Sequence, residues 1–392
     1  MRLLVVSGFW PTQSNPITGI FVVQQVQAYV EAGCEVTVIV PQTIRGREHG
    51  RAYHQNVGRA EVYCPVFPDV PQSVSGGKVA VLFNTSSCAQ AILRTLKRHA
   101  IDARFDGIHI HELRYSGLSY VKWGARVRGP AILTLHGVDP FVADRATSPW
   151  FAKALDRLWH TSLHVTLVGS PLSGFARQLG VPPERCSIVH NGSKLPEHSH
   201  SDQRPLSQRR VVLSVSNLVE LKGLDLNLKA LAQVRREHPA LDWEYRIVGD
   251  GPERESLERL AQDVRVADRV TFRGRLSHDD TLAEFASCDV FSLPSWGENF
   301  GIVYLEAMGR GRPVIGCRGW GAAEMVRDGI DGVLVEPKDQ ASLQVALARL
   351  LTDPHASTSM GMAARDRALA FSWGRNVRRY LDLFALVGGH SE

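Results

Sequence analysis

Arg210-Val211-Val212-Leu213-Ser214-Val215 decides the fold, because it restarts a pattern already used at the head of the chain. A near-continuous apolar run of this kind, rather than an alternating one, reads as a strand buried on both faces of a parallel sheet. A loop through Lys222-Gly223 follows, then a helical pattern over residues 226–237, then Tyr245-Arg246-Ile247-Val248-Gly249-Asp250-Gly251, a strand closed by a glycine turn. The head of the chain has the same order. Residues 2–8 read as a strand, a loop carries Pro11 and Gly19, residues 21–30 have helical spacing, and Val36-Thr37-Val38-Ile39-Val40 reads as the next strand.

Two β-α-β openings imply two Rossmann-like α/β domains, and 392 residues are more than one core usually fills. The seam is expected near residues 193–209, where Ser193 to Gln203 is polar and has no apolar period. That divides the chain into domains over 1–200 and 201–371. His198 and His200 fall in this stretch and read as linker residues rather than metal ligands. Phe371-Ser372-Trp373 opens a tail, residues 372–392, with the pattern of an amphipathic helix.

Composition narrows the class. Charged residues at 22% and hydrophobic residues at 44% describe a soluble globular protein, and no run of eighteen apolar residues offers a membrane span. The six cysteines have no C-x-x-C spacing, so a reduced cytoplasmic chain without a zinc site is expected. Residues 1–200 hold 20 Lys and Arg against 13 Asp and Glu, while the remainder holds 25 against 27. The basic excess of the first half suggests an anionic partner there, such as a lipid phosphate or a membrane face, with Arg94, Lys97 and Arg98 as candidate contacts. Nucleic acid is not expected as a partner.

The chemistry concentrates in Pro294-Ser295-Trp296-Gly297-Glu298-Asn299-Phe300-Gly301-Ile302-Val303-Tyr304-Leu305-Glu306-Ala307-Met308. Two carboxylates flank a Phe-Gly pair, the first in a loop and the second inside a helical pattern. A helix start offers unpaired N–H groups to sugar or phosphate oxygens, and a carboxylate can accept two hydroxyls at once. Strands ending in polar residues, Asp106 to Glu112 and Ala131 to Asp139, place His111, His136 and Asp139 where open parallel sheets collect ligands.

The stretch from Glu298 to Ile315 resembles the donor-binding signature of GT4 glycosyltransferases, retaining enzymes of GT-B fold, and the resemblance extends over nearly the whole chain. It implies two Rossmann-like domains with a cleft between them and a final helix crossing back to the first. It further implies transfer of a hexose from a nucleotide-diphosphate sugar with retention of configuration. Glu298 would contact the transferred sugar with Asn299, Phe300, Gly301 and Ile302, while Glu306 would hold the ribose. His136, in Thr134-Leu135-His136-Gly137-Val138-Asp139, matches a histidine that lies against the donor sugar and phosphate. Two protonation states suit it, a neutral ring facing a hydroxyl or an imidazolium facing phosphate. Asp139 would orient His136 or touch the acceptor, and His111 belongs to the same acceptor side.

Lys222 matches the lysine that balances the departing diphosphate, which a fixed ammonium and helix-end N–H groups can do without metal or cofactor. Gly19 matches the first-domain loop near the donor phosphates, in a form similar to enzymes of bacterial surface polysaccharides such as teichuronic acid. Gly249 matches the turn beside the nucleotide, and Arg273 the position near the base. The chain departs from the family at Ser216-Asn217-Leu218, where an arginine usually stands in place of Asn217. Arg273 or Arg275 is the expected compensation. Trp320, inserted in Gly319-Trp320-Gly321, has two readings, stacking on a sugar or packing on the linker.

The donor expectation is a UDP-hexose first and GDP-mannose second. The acceptor is expected to be a glycan or lipid-linked hydroxyl, and the location cytoplasmic, peripheral on an anionic membrane. The rivals are a nucleotide-sugar epimerase of the same fold and a noncatalytic anion-binding protein. A phosphorylase dependent on pyridoxal phosphate would need a far longer chain.

Overall fold

A computed structural model describes residues 1–12, 15, 17–45, 57–71, 77–144, 146, 148–196 and 209–389. Of the expected linker near 193–209, residues 197–208, with His198 and His200, lie outside these residues. The chain divides into two units, Met1–Gly192 with Trp373–Glu392, and Ser193–Ser372. The first break thus comes between Gly192 and Ser193, at the start of the expected seam over 193–209, and Ser193 is tied to the second unit through its N–H to the Phe371 carbonyl at 2.9 Å.

The first unit is built on seven parallel strands: β1 (Arg2–Ser7), β2 (Glu35–Ile39), β4 (Glu61–Tyr63), β6 (Gly107–His111), β7 (Ala131–Leu135), β8 (Leu163–Leu167) and β9 (Cys186–Ile188). β3 (Gln42–Thr43) and β5 (Val66–Phe67) form a short parallel pair of their own. The order across the sheet is β4-β2-β1-β6-β7-β8-β9. Leu3, Leu4, Val5 and Val6 are fully buried, as a continuous apolar run between two helix layers requires.

The tail helix Trp373–Gly389 belongs to this unit. It buries Trp373, Asn376, Val377, Tyr380 and Phe384, a stripe at helical spacing, beside the helix Ile20–Glu31. Gln25 Nε2 donates to Asn376 Oδ1 at 2.6 Å in this seam, and Asn376 Nδ2 donates to the His190 carbonyl at 2.7 Å.

The second unit has six parallel strands: β10 (Arg210–Val215), β11 (Trp243–Val248), β12 (Val270–Gly274), β13 (Val290–Ser292), β14 (Val314–Cys317) and β15 (Gly332–Val335). Their order is β12-β11-β10-β13-β14-β15, so the chain winds outward one way from β10 and then the other way from β13. Such a reversal opens a crevice beyond the carboxyl ends of the two central strands. The first unit reverses likewise between β1 and β6. Each reversal point is where the candidate residues of that unit collect.

Candidate functional site

In the second unit, the loops leaving β10 and β13 are sewn together at the reversal point. The Trp296 N–H and the Ser295 hydroxyl both donate to the Leu221 carbonyl at 3.0 Å. Gly223 adopts φ 68°, and a Cβ there would lie 2.6 Å from the Pro294 carbonyl oxygen, so only glycine lets the loops approach. This places Lys222 Nζ 2.6 Å from Glu298 Oε2, with the two side chains 16% and 20% exposed. A partly desolvated pair of this kind holds both charges fixed until a ligand competes for them.

The Glu298 loop is held from a second side. Gly321 N–H donates to the Glu298 carbonyl at 2.8 Å, which packs the Gly319–Gly321 segment, with Trp320 half-buried, against the loop backbone. Gly301 sits at φ 85° before the helix Ile302–Met308, where a Cβ would crowd Tyr304 and the Glu298 side chain. Phe300 is buried against Phe371, with ring centroids 6.1 Å apart. Its ring is therefore core, and what this position can offer a sugar is backbone. Asn299 and Ile302 are half-buried beside it.

Glu306, on the helix after Gly301, is only 11% exposed. Burial raises its carboxyl to about 7, and Arg310 partly opposes the rise. His278 Nδ1 lies 4.0 Å from Glu306 Oε1. His278 was not legible as a site residue; the only signal is its place just after the β12 turn, behind the capping Ser277.

The remaining candidates of this unit divide. Gly249 has φ 127°, and a Cβ there would come within 1.8 Å of the Ser216 carbonyl oxygen. Its N–H donates to the Gly274 carbonyl at 2.8 Å, so the ends of β10, β11 and β12 are drawn together by backbone. Asn217 lies exposed at this junction. Arg273, one of the two expected compensating cations, has its Nε 3.0 Å from Glu284 Oε1, a carboxylate that Arg246 also engages. Arg275 is exposed.

In the first unit, β7 delivers His136 to the reversal point beside His111 at the end of β6. Their rings stack with centroids 5.3 Å apart, and His111 Nδ1 is 3.0 Å from His136 Nε2. Phe21 and Phe9 pack on His136 with centroids 4.6 and 5.9 Å away. Burial pushes His136 down to about 3 and His111 well below the usual imidazole range. Burial therefore favours the neutral ring in the unliganded protein.

One layer deeper, His109 Nε2 meets Thr134 Oγ1 at 2.7 Å, and Thr134 Oγ1 meets the Tyr380 hydroxyl at 2.9 Å. The stack is thus rooted in the tail helix.

Three further first-unit positions have defined contacts of their own. Asp139, expected to orient His136 or touch the acceptor, caps the short helix Pro140–Ala143, its Oδ1 accepting from the Phe141 N–H at 2.9 Å. Gly19 has φ 73°, and a Cβ there would lie 2.4 Å from the Phe9 carbonyl carbon. The neighbouring loop by itself already requires glycine here. Glu112 was missed although it closes the β6 run. It holds φ 148°, a strained position for a side-chain-bearing residue, and its Oε1 accepts from the N–H groups of Tyr115 at 2.9 Å and Ser116 at 2.7 Å. Glu112, Arg114, His136, Asp139 and Thr12 line a cavity of about 350 Å³.

Among the described residues no group of three His, Cys, Asp and Glu side chains is placed to hold a metal ion.

Comparison with known proteins covers both units. Residues 18–195 match the family described as Glycosyltransferase Family 4, and residues 197–367 the family described as Glycosyl transferases group 1. A GDP-mannose-dependent alpha-(1-6)-phosphatidylinositol monomannoside mannosyltransferase of Mycolicibacterium smegmatis is 38% identical over 188 residues, which are 46% of this chain and 49% of that protein. A D-inositol 3-phosphate glycosyltransferase of Salinispora arenicola is 33% identical over 222 residues, 52% of this chain and 50% of that one. The chain thus spans about half the length of the curated relatives it matches. Among solved structures, a sucrose-phosphate synthase from Thermosynechococcus elongatus superposes with a TM-score of 0.75 at 21% identity, covering 100% of both chains. The Anabaena protein HepE in complex with UDP gives 0.73 at 20% identity, covering 98% of this chain and 100% of that one.

Proposed function

The chain belongs to the GT4 glycosyltransferases of GT-B fold, and on that premise we propose that it moves a hexose, with retention of configuration, from a nucleotide-diphosphate sugar to a hydroxyl of a glycan or lipid-linked acceptor. The observation that carries this reading is the Lys222–Glu298 pair at the reversal point of the second sheet, with Glu306 on the helix that follows. Glu298 is placed to accept hydroxyls of the transferred sugar, and Glu306 to accept those of the ribose.

The bond from the anomeric carbon to the diphosphate oxygen breaks as the acceptor oxygen attacks from the same face. The acceptor proton passes to the departing phosphate oxygen. Lys222 neutralises the charge that develops there, without a metal ion, an effect worth about 2.7–4 kcal/mol for a donor in a dry site. Trapping a glycosyl adduct on Glu298 would overturn the same-face route. The neutral His136, buried against Phe9 and Phe21, suits a contact with a sugar hydroxyl better than one with phosphate.

GDP-mannose moves ahead of UDP-hexoses as the first donor to try, because the Mycolicibacterium relative depends on it. Inositol-containing acceptors, named in both relatives, are the first to pair with it.

For a lipid-linked acceptor, peripheral attachment would use the helix Lys78–Arg98. Arg94, Lys97 and Arg98 line a cavity of about 750 Å³ with Tyr63 and His99, and Val79, Leu82 and Phe83 are exposed toward the start of the helix. No described helix is long and apolar enough to cross a membrane. Binding to vesicles of anionic lipid should weaken as salt rises, and salt-independent binding would count against this attachment.

The test of the activity is nucleotide release from a panel of GDP- and UDP-sugars, with and without an inositol acceptor, in EDTA. Release from one donor, lost in Glu306→Ala, is the expected result. Release that requires an added divalent ion, or that survives the substitution, would contradict it.

A further inference from the structure

We propose that Arg114 is a specificity-determining residue of the first unit, selecting an acceptor that carries a negatively charged oxygen group, a phosphate ester or a carboxylate. The inference rests on the transferase reading and narrows its acceptor.

Arg114 stands in the wide five-residue π-turn Leu113–Gly117 that leaves β6, directly after Glu112, the residue held at φ 148°. Turns of this type, and backbone held in such regions, gather at functional sites. The guanidinium carbon lies 5.2 Å from the ring centroid of Tyr115 and 4.8 Å from that of Phe141. Aromatic faces thus hold the cation in place. Among the described residues the Arg114 side chain has no hydrogen-bond or ion-pair partner, although its Nε is buried. A buried donor in that state needs an explanation, and a ligand oxygen supplies one.

Arg114 lines the cavity of about 350 Å³ that His136, read above as facing a sugar hydroxyl, also lines. That volume is in the range of small-molecule sites. Two carboxylates share the cavity, and each is turned to backbone donors. Glu112 Oε1 accepts from the N–H groups of Tyr115 and Ser116, and Asp139 Oδ1 from that of Phe141. Burial raises the Glu112 pKa, the two N–H groups oppose the rise and Asp139 adds to it, which lessens the negative charge an arriving anion meets. A guanidinium held by rings keeps its N–H groups at its edge, where two of them match two oxygens of a phosphate or carboxylate. A neutral acceptor would leave the cation without a counter-charge, and sites built around such a contact reject ligands that lack it.

The experiment is calorimetric titration of the full chain, with GDP or UDP present, against glucose, glucose 6-phosphate and glucuronate, and against myo-inositol and D-inositol 3-phosphate. Wild type, Arg114→Gln and Arg114→Lys are compared, with thermal unfolding of each variant as the check of folding. Wild type is expected to bind one charged probe about ten-fold or more tightly than its neutral counterpart, and the identity of that probe tells phosphate from carboxylate. Arg114→Gln should bring the ratio to within about three-fold, and Arg114→Lys, which keeps the charge but not the fork, should keep part of it. In wild type the same probe should shift the Arg114 Nε–H resonance, a readout that needs no stable variant. No preference for a charged probe in wild type, an unmoved resonance, or an unchanged ratio in Arg114→Gln would overturn the role of Arg114. A preference that follows Arg114 while no donor and acceptor give nucleotide release would leave the anion site standing and remove the transferase reading.

Discussion

The histidine stack of the first unit and the carboxylates of the second occupy equivalent places, each at the reversal point of a parallel sheet, yet burial acts on them in opposite ways. Burial drives His111 and His136 neutral, His136 packs on Phe9 and Phe21, and His109 beside His111 meets Thr134 and through it Tyr380. The stack itself is therefore uncharged, and Glu112, Arg114 and Asp139 line the cavity beside it. In the second unit Lys222 and Glu298 stay paired, and Glu306 is poised near neutrality. On the proposed function, the difference would give the charge balance of leaving-group departure to the second unit.

The largest effect expected from that division is at Lys222. Lys222→Ala should lower kcat for nucleotide release about 10²–10³-fold, with a smaller change in nucleotide affinity, because the ammonium acts on charge that develops late. A loss confined to KM would place Lys222 in ground-state binding and blur the contrast between the units.

The next tests Glu306 through stability. Its folded carboxyl pKa is raised from 4.5 to about 7, so its contribution to stability is fully present below 4.5 and is lost as pH rises through 7. Glu306→Gln removes that penalty and should stabilise the unliganded protein by up to about 3 kcal/mol at pH 8, with no gain near pH 4. Thermal unfolding at the two pH values checks this. Nucleotide affinity should move the other way, weakening in wild type as pH falls through 7 and becoming insensitive to pH in the variant.

Gly19→Ala should cost about 2 kcal/mol of stability, since it combines a positive φ with a collision against the Phe9–Trp10 backbone. Unfolding in urea measures it. Asn217→Arg, which supplies the cation the family usually has there, should tighten nucleotide binding by only a few-fold, because the position is exposed.

The parallel strands were legible because each is an unbroken apolar run, and the second opening at Arg210–Val215 announced a second domain on its own. The Glu298–Glu306 segment was legible because its residues are contiguous in sequence. The rest depended on contacts between distant segments. That Arg273 pairs with Glu284 depends on how β12 and the helix His278–Ser287 pack. That Gly19 and Gly249 answer to backbone carbonyls or carbonyl carbons follows from loops meeting across the sheet ends. His278 gave no signal because a histidine opening a helix is ordinary until a carboxylate from elsewhere lies beside it.

The most direct test of the central claim, that the second unit holds the nucleotide through Glu306 without metal, is calorimetric titration with GDP and UDP in EDTA at pH 8. The account predicts that one of the two binds the wild type and that Glu306→Ala weakens it at least about ten-fold. Equal binding by wild type and variant, or binding that appears only when a divalent ion is restored, would contradict it.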